Sequence, residues 1–299
     1  MAKISVVINT RNEEENLPRA LASIKKLADE VIVVDMESVD STKKIAKKFG
    51  AKVYDHKLTN YVEPARNYAI DKATGDWIFI LDADEEVPGT LVSKLRRLSK
   101  NETIDFFRIP RRNKIFGKWI RHSRWWPDYN IRFFKKDSVV WGNIIHSVPT
   151  TKGDGFDIEA KKEFAITHHH YQSVEQYIDR MNRYTTQHAL LKIEDNYKFS
   201  WRDVVKRPVG EFLSRYFFGK GYKDGLHGLA LSGLQGFSEL VMYLKIWQFE
   251  GFKKQQLDLT KVVAEMRKTD SEKRYWQADA MAKETRSVVE IVKRKFRLP

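Results

Sequence analysis

The strongest constraint on the fold is a regular alternation of short apolar strands with amphipathic helices over the first hundred residues. Runs of β-branched and aromatic residues predict strands at 4–8, 31–34, 51–54 and 77–81, and the segments between them have helical spacing. Strands that alternate with helices of this length form βαβ units and give a mostly parallel sheet with helices on both faces. The sequence therefore predicts an α/β domain.

The pattern changes twice further along the chain. We expect Thr10 or Asn12 to cap the first helix, and later the chain becomes aromatic, basic and strand-like from about 105 to 165. Beyond that segment the apolar spacing is helical to the end of the sequence. We therefore predict an α/β domain over 1–170 and a helical, partly amphipathic region over 171–299.

Composition excludes several classes of protein. The 299 residues contain no cysteine, which rules out disulfides, thiolate zinc sites and a cysteine nucleophile. Hydrophobic residues at 42% and charged residues at 31% are typical of a globular chain. The opening MAKISVVINT reads as a strand, so no secretory signal is expected. No run of about 18–20 apolar residues predicts a spanning helix, and a cytoplasmic location is expected.

The charge balance points to anionic partners. The chain has 54 Lys and Arg against 40 Asp and Glu, a net charge of +14. Nucleic acid, an anionic membrane surface and a phosphorylated substrate all fit such a balance. The excess is greatest between Arg108 and Lys136, where Asp128 is the single acidic residue.

Polar residues follow the predicted strands at the edge of the sheet where α/β proteins bind ligands. Asp82 and Asp84, in Asp-Ala-Asp, follow the fourth strand and have the ligand chemistry for a divalent cation on a diphosphate; their alternative role is to cap the next helix. Asp35 ends the second strand and is placed to accept from a base or ribose, or to cap a helix. Arg66 is placed to hold a diphosphate bidentately, or to make a surface salt bridge.

Four segments together resemble the family 2 glycosyltransferases: ISVVINTRNEEENLPRALASI, VIVVDMESVDST, EPARNYAI and GDWIFILDADEEV. WWPDYNIRFF, WGNIIHSVP, THHHYQSVEQYIDRMNRYT and YFFGKGYKDGLHGL extend the likeness to about residue 250 and are similar to the lipopolysaccharide-core glucosyltransferases of the WaaE type. The resemblance implies a GT-A fold, a nucleotide-sugar donor (a UDP-sugar first of all), a Mg²⁺ or Mn²⁺ ion, and inversion at the anomeric carbon.

The resemblance also implies roles for individual residues in donor binding. Thr10 and Glu13 would line the base pocket, Asp35 would contact the nucleoside, and Arg66 would contact the diphosphate. Asp82 would lie near the ribose or the metal, and Asp84 would bind the metal.

The catalytic base departs from the pattern of that branch, which usually has His-Glu where this chain has His146-Ser147. Asp128 is our substitute, because it is the one acid in a basic, aromatic segment where Trp125 and Trp126 would stack on sugars; its alternative role is an ion pair with a neighbouring arginine. His146 is a second candidate, as base or third metal ligand, or a half-buried structural histidine. The run His168-His169-His170 cannot all reach one ion from a regular strand, so we expect a strand end with one of them near the nucleotide.

The segment 207–247 is apolar, poor in charge and bordered by basic residues. It fits helices packed on the catalytic domain, or an amphipathic hairpin at the cytoplasmic leaflet. A glycan or lipid-linked acceptor and a peripheral position on the inner face of the cytoplasmic membrane would explain both the segment and the charge.

Three other functions fit some of these features. A polyprenyl-phosphate glycosyltransferase would also use the apolar segment, and a nucleic-acid-binding protein would use the basic aromatic segment 106–141. A nucleotidyltransferase would need a glycine-rich, lysine-bearing loop, which the segment 8–13 lacks. We favour a metal-dependent inverting glycosyltransferase with an envelope glycolipid or polysaccharide acceptor, similar to a lipopolysaccharide core, and expect no nucleic-acid partner.

Overall fold

The computed structural model describes residues 2–58, 63–142 and 149–298. Their contacts form two compact units, one of Met1–Ile115 with Trp126–His170 and the other of Phe116–Trp125 with Tyr171–Pro299. The functional division of the chain at residue 170 stays a prediction.

The first unit contains the strand and helix alternation that the sequence predicts. Its helices are α1 (Leu17–Ser23), α2 (Thr42–Lys48), α3 (Glu63–Asp71) and α4 (Gly89–Leu98). Its strands are β1 (Ile4–Thr10), β2 (Glu30–Asp35), β3 (Lys52–Asp55), β4 (Trp77–Ile80), β5 (Glu85–Glu86), β6 (Phe106–Ile115), β8 (Asp128–Lys135), β9 (Val139–Val140), β10 (Thr150–Thr151), β11 (Gly155–Asp157) and β12 (Ile166–Tyr171).

One large mixed sheet organises this unit, in the strand order β3-β2-β1-β4-β8-β6-β12-β5. The first four strands are parallel, with Thr10 opposite Asp35 and Val7 opposite Ile80. Strands β8 and β6 then add in antiparallel directions, and β5 pairs antiparallel with β12. The order brings β12, from the end of the unit, next to the turn that follows β4.

Helices cover both faces of the sheet. Strand β1 is buried along its whole length. Its residues Ile4, Val6 and Ile8 belong to a core with α1 and α4, while Val7 belongs to a second core with α3. A strand that is apolar on both sides requires cover on both sides, and the predicted α/β architecture is confirmed.

The first helix begins later than the sequence suggests. Its N-cap is Asn16, so the prediction that Thr10 or Asn12 caps it is wrong. Strand β1 continues through Thr10, and Asn12 has a left-handed backbone with φ 53°. The Asn12 side chain accepts from the backbone N–H of Val39 at 2.9 Å, so it fastens the loop after β2 instead of capping a helix.

The second unit is helical apart from the short strand β7 (Lys118–Trp119). Its helices are α5 (Val174–Glu194), α6 (Trp201–Leu213), α7 (Leu226–Phe249), α8 (Leu259–Thr285) and α9 (Val288–Phe296), with π-helical and 3₁₀ turns at Ser214–Phe218 and Gly221–Asp224. The helical C-terminal region predicted from the sequence is confirmed. Over the residues that the structure describes, no helix is both long enough and apolar enough to cross a membrane.

Candidate active site

Two buried polar side chains, Thr10 and Asp35, lie at the carboxyl ends of β1 and β2. Asp35 is fully buried, and its Oδ2 accepts from the backbone N–H of Ser38 at 3.0 Å and lies 3.5 Å from Lys43 Nζ. Within the described part of the chain, Asp35 Oδ1 and Thr10 Oγ1 are buried without a hydrogen-bond partner. Leaving a buried polar atom unsatisfied is costly, so these two atoms suit a ligand that offers N–H or O–H groups.

Glu13 lies between the end of β1 and the start of α1. Its backbone N–H donates to Thr42 Oγ1 at 2.8 Å, and its Oε2 accepts from Asn16 Nδ2 at 2.8 Å. The Glu13 carboxylate therefore steadies the start of α1, and its predicted contact with a base stays a prediction.

Asp82, after β4, is held by two guanidinium groups. Its Oδ1 accepts from Arg66 Nη2 at 3.0 Å, and its Oδ2 accepts from Arg132 Nη2 at 2.6 Å. Burial raises the pKa of Asp82, but Arg132 and Arg66 outweigh that effect and hold it well below its ordinary value. The predicted neighbours Arg66 and Asp82 thus meet, and Asp82 would have to give up an ion pair in order to ligate a metal.

Glu85 and Arg132 form the centre of the charge cluster, and the sequence predictions missed both. Glu85 is fully buried, accepts from Arg132 Nη2 at 2.7 Å, and lies 3.4 Å from Arg111 Nη1. Burial raises the pKa of Glu85 against the opposing effect of Arg132, and the charge of Asp82 raises it further. The sequence did contain a signal for a buried ion pair, namely an arginine between Ile131 and Phe133 in a predicted strand. A charge in a buried strand requires a charged partner.

A chain of hydrogen bonds connects Asp128 to His168. Asp128 Oδ2 accepts from Asn113 Nδ2 at 2.9 Å and from Arg111 Nε at 2.9 Å. Asn113 Oδ1 lies 2.7 Å from His168 Nδ1, and His168 Nε2 lies 3.4 Å from Asp84 Oδ2. The four side chains come from three strands and the turn after β4, so only the folded sheet brings them together.

This chain of contacts fixes the proton on His168. A carboxylate only accepts, so Asn113 must direct its NH₂ group to Asp128 and its oxygen to His168. His168 Nδ1 therefore carries a proton, and in the neutral ring Nε2 presents its lone pair to the Asp84 carboxylate. Two acceptors that face each other at 3.4 Å repel unless the ring is protonated or a cation binds both.

A divalent ion fits these donors. Its ligands would be an Asp84 oxygen and His168 Nε2, with Asn113 orienting the histidine through the hydrogen bond to its other ring nitrogen. Among residues 2–58, 63–142 and 149–298, no group of three or more His, Asp or Glu side chains is arranged for a metal. Two protein ligands suffice for Mg²⁺ or a similar ion when phosphates and water complete its shell.

The three consecutive histidines separate as strand geometry requires. The rings of His168 and His170 stack at 4.4 Å on one side of β12, while His169 Nε2 lies 3.3 Å from Glu86 Oε2. One histidine of the run therefore reaches the Asp84 carboxylate.

The remaining predicted residues are more dispersed. Trp126 is half-buried in the first unit, whereas Trp125 belongs to the second unit, where Arg215 lies 6.0 Å from its ring centre. His146 and Ser147 lie outside the described residues. The sugar-stacking role of the two tryptophans and the role of His146 stay predictions.

Comparison with known proteins identifies the class. Residues 5–153 match the family model described as Glycosyl transferase family 2. An uncharacterised glycosyltransferase of Rickettsia typhi is 29% identical over 258 residues, which cover 82% of this chain and 87% of that protein. The chain belongs to the family 2 glycosyltransferases, and it is an enzyme with a GT-A fold.

Two more distant likenesses are recorded. The lipopolysaccharide core biosynthesis glycosyltransferase LpsC of Rhizobium meliloti is 23% identical over 245 residues, 79% of this chain and 86% of that protein. A structure of glucosyl-3-phosphoglycerate synthase from Mycobacterium tuberculosis is 27% identical over 36% of this chain and 43% of that chain, with a TM-score of 0.31. A TM-score that low over so short a stretch supports no inference about the site.

Proposed function

We propose that this glycosyltransferase moves a sugar from a nucleoside-diphosphate sugar, a UDP-sugar first of all, to a glycolipid or polysaccharide acceptor of the cell envelope. A Mg²⁺ or Mn²⁺ ion would bind at Asp84 and His168. The observation that carries the proposal is the 3.4 Å approach of His168 Nε2 to the Asp84 carboxylate, at the sheet edge where the buried side chains of Asp35 and Thr10 also lie.

Charge neutralisation is the main task of such a site. A nucleoside diphosphate gains negative charge as the bond to the sugar breaks, and a bound divalent ion supplies Lewis acidity to its oxygens. Arg66 is placed to share that charge, because its Nη2 already binds a carboxylate oxygen of Asp82 at 3.0 Å. Asp35 would accept from the base or ribose at its unsatisfied Oδ1.

Asp128 remains our candidate for the base that takes the proton of the acceptor hydroxyl. Burial raises the pKa of Asp128, but the charge of Arg111 and the hydrogen bond from Asn113 lower it by more. The pKa of Asp128 therefore lies below its ordinary value. The carboxylate form is thus present at neutral pH, as a base requires, although a lower pKa makes it a weaker base. The same contacts orient Asn113, so Asp128 would also position the metal ligand His168.

An apolar groove in the second unit supports a lipid-linked acceptor. The groove encloses about 730 Å³ and is lined by Phe116 and by side chains of α5, α6 and α7, among them Leu226, Leu234 and Phe237. Its volume is in the range of sites for small ligands, and its lining suits a hydrocarbon chain. The name of the LpsC relative also favours a lipopolysaccharide-like acceptor, and we propose that residues 171–299 contact it at the inner face of the membrane.

The same groove fits the second candidate, transfer to a polyprenyl phosphate. The nucleic-acid alternative is weakened by the ion pairs of the basic segment. Arg108 pairs with Asp157, Arg111 with Asp128, Arg132 with Asp82 and Glu85, and Lys135 with Asp105. Much of this charge is therefore balanced inside the protein instead of being offered to a phosphate backbone.

The test is a thermal-shift panel of UDP, GDP, ADP and CMP with and without Mn²⁺. A ligand at 100 times its Kd stabilises the folded state by about 2.7 kcal/mol, which raises Tm by roughly 4 °C in a protein of this size. We expect one diphosphate to give a Mn²⁺-dependent shift that His168→Gln removes. His169→Gln is the matched control, because it changes the adjacent histidine on the other side of β12. Equal shifts without metal, or none with any diphosphate, would contradict the proposal.

A further inference from the structure

Helix α9 is amphipathic, but its polar side faces the protein and its apolar side is exposed, the reverse of an ordinary surface helix. Its polar side lies against α8: Arg294 Nη1 binds Asp279 Oδ1 at 3.0 Å, and just beyond the helix Arg297 Nη1 donates to Ser271 Oγ at 3.2 Å. Asp279 is 5% exposed, so α9 is held in place by a nearly buried ion pair. A helix on a protein surface usually packs its apolar side inward.

The outward side of α9 is apolar. Val288 is 72% exposed, Val289 62% and Phe296 62%. Ile291 and Val292 are 44% exposed each. Among the described residues of the second unit nothing covers these side chains, and a contiguous exposed patch of this kind marks an interaction surface.

The positive charge around the apolar patch of α9 indicates an anionic partner. Arg286, Lys293, Arg294, Lys295 and Arg297 lie in or beside α9 against the single acid Glu290, whose Oε1 is 3.8 Å from Lys293 Nζ. The second unit, 116–125 with 171–299, holds 27 of the chain's 54 Lys and Arg but only 16 of its 40 Asp and Glu, a net charge of +11 out of +14. An anionic surface is complementary to this unit, whereas a second copy would bring like charges together.

We propose that α9 is a membrane-docking helix, which inserts Val288, Val292 and Phe296 among the acyl chains of an anionic bilayer while Arg286, Lys293 and Lys295 contact the headgroups. Apolar insertion combined with basic charge is how interfacial helices bind anionic lipids. The surface lies outside the segment 207–247 and needs neither donor nor acceptor. If α9 does not bind membranes, the proposed transfer reaction is therefore unaffected.

Co-sedimentation of the full chain with vesicles tests the proposal. With phosphatidylcholine vesicles that contain 30% phosphatidylglycerol, we expect binding at least tenfold stronger than with phosphatidylcholine alone, and weaker at 0.5 M than at 0.1 M salt. The double variant Val292→Ser/Phe296→Ser should bind at least tenfold more weakly. Val39→Ser, at a side chain 91% exposed in the first unit, is the control and should bind as the parent protein does.

Three results would overturn the proposal. Equal binding to neutral and anionic vesicles would show that the basic charge plays no part. Unchanged binding of the double variant would show that α9 does not contact the membrane. A dimer in sedimentation velocity that the double variant abolishes would show that a second copy covers the patch. Thermal unfolding of the double variant should stay close to that of the parent protein, because the two side chains are 44% and 62% exposed.

Discussion

Replacement of Asn113 by leucine tests whether the hydrogen-bond chain serves a metal or only the fold. Asn113 is 1% exposed, and its contacts include Asp128 Oδ2 at 2.9 Å and His168 Nδ1 at 2.7 Å. Leucine has nearly the same shape and removes both. His168 then keeps its place in β12 but loses the acceptor that fixes its proton on Nδ1.

The expected loss of stability follows from the hydrogen bonds to Asp128 and His168. A lost hydrogen bond to a carboxylate costs about 1.5–3 kcal/mol, and a buried N–H left without an acceptor costs about 1–3 kcal/mol. We therefore expect Asn113→Leu to lower the free energy of unfolding by roughly 2.5–6 kcal/mol. Loss of a group that orients a metal ligand costs about 10–100-fold in metal affinity, so the affinity for Mn²⁺ in the presence of the nucleotide should fall by that factor.

Urea unfolding and calorimetric titration of Mn²⁺ measure the two effects separately. Asn130→Leu is the matched control, because Asn130 donates to Asp128 Oδ1 at 3.2 Å and has no recorded contact with His168. We expect that variant to lose some stability and to keep its Mn²⁺ affinity. If Asn113→Leu is destabilised but binds Mn²⁺ as tightly as the parent protein, the chain is structural and our reasoning about the proton on His168 is refuted.

Three further predictions concern the base, the groove and a buried carboxylate. Asp128→Asn should lower turnover by about 10²–10⁴ while UDP still shifts Tm; an unchanged rate would place the base elsewhere. Phe237→Asp should weaken transfer to a lipid-linked acceptor at least tenfold and leave the nucleotide shift intact, and equal loss of both would indicate misfolding. Burial raises the pKa of Glu30, but hydrogen bonds from Lys52 and others lower it to about 2 from 4.5. This carboxylate stabilises the fold above its ordinary pKa, so Glu30→Gln should cost about 3 kcal/mol at pH 7 and progressively less toward pH 2, which urea unfolding at several pH values would show.

The parallel half of the sheet could be predicted from sequence because its information is local. Each strand and the helix after it form one continuous stretch, and strands that run parallel end at the same edge. This is why the sequence places Thr10, Asp35 and Asp82 at one edge of the sheet. Arg66 on α3, which the resemblance assigns to the diphosphate, lies 3.0 Å from Asp82.

The antiparallel half could not be predicted in the same way. Asn113, Asp128 and His168 are separated by tens of residues, and their contacts depend on the pairing of β6 with β8 and on the position of β12. Strand alternation indicates which residues share a face, but it does not say which strands are neighbours. Glu85 was missed for the same reason, since its partner Arg132 lies 47 positions further along the chain.

The charge cluster behind Asp82 has a consequence for the order of ligand binding. Four carboxylates, those of Asp82, Asp84, Glu85 and Asp128, are linked through three guanidinium groups and through the Asn113–His168 pair. Because the carboxylates outnumber the guanidinium groups, the site disfavours a free diphosphate. A divalent cation reverses the sign of the net charge. Cation and nucleotide should therefore increase each other's affinity by the same factor, and after transfer the departing diphosphate should leave together with its ion.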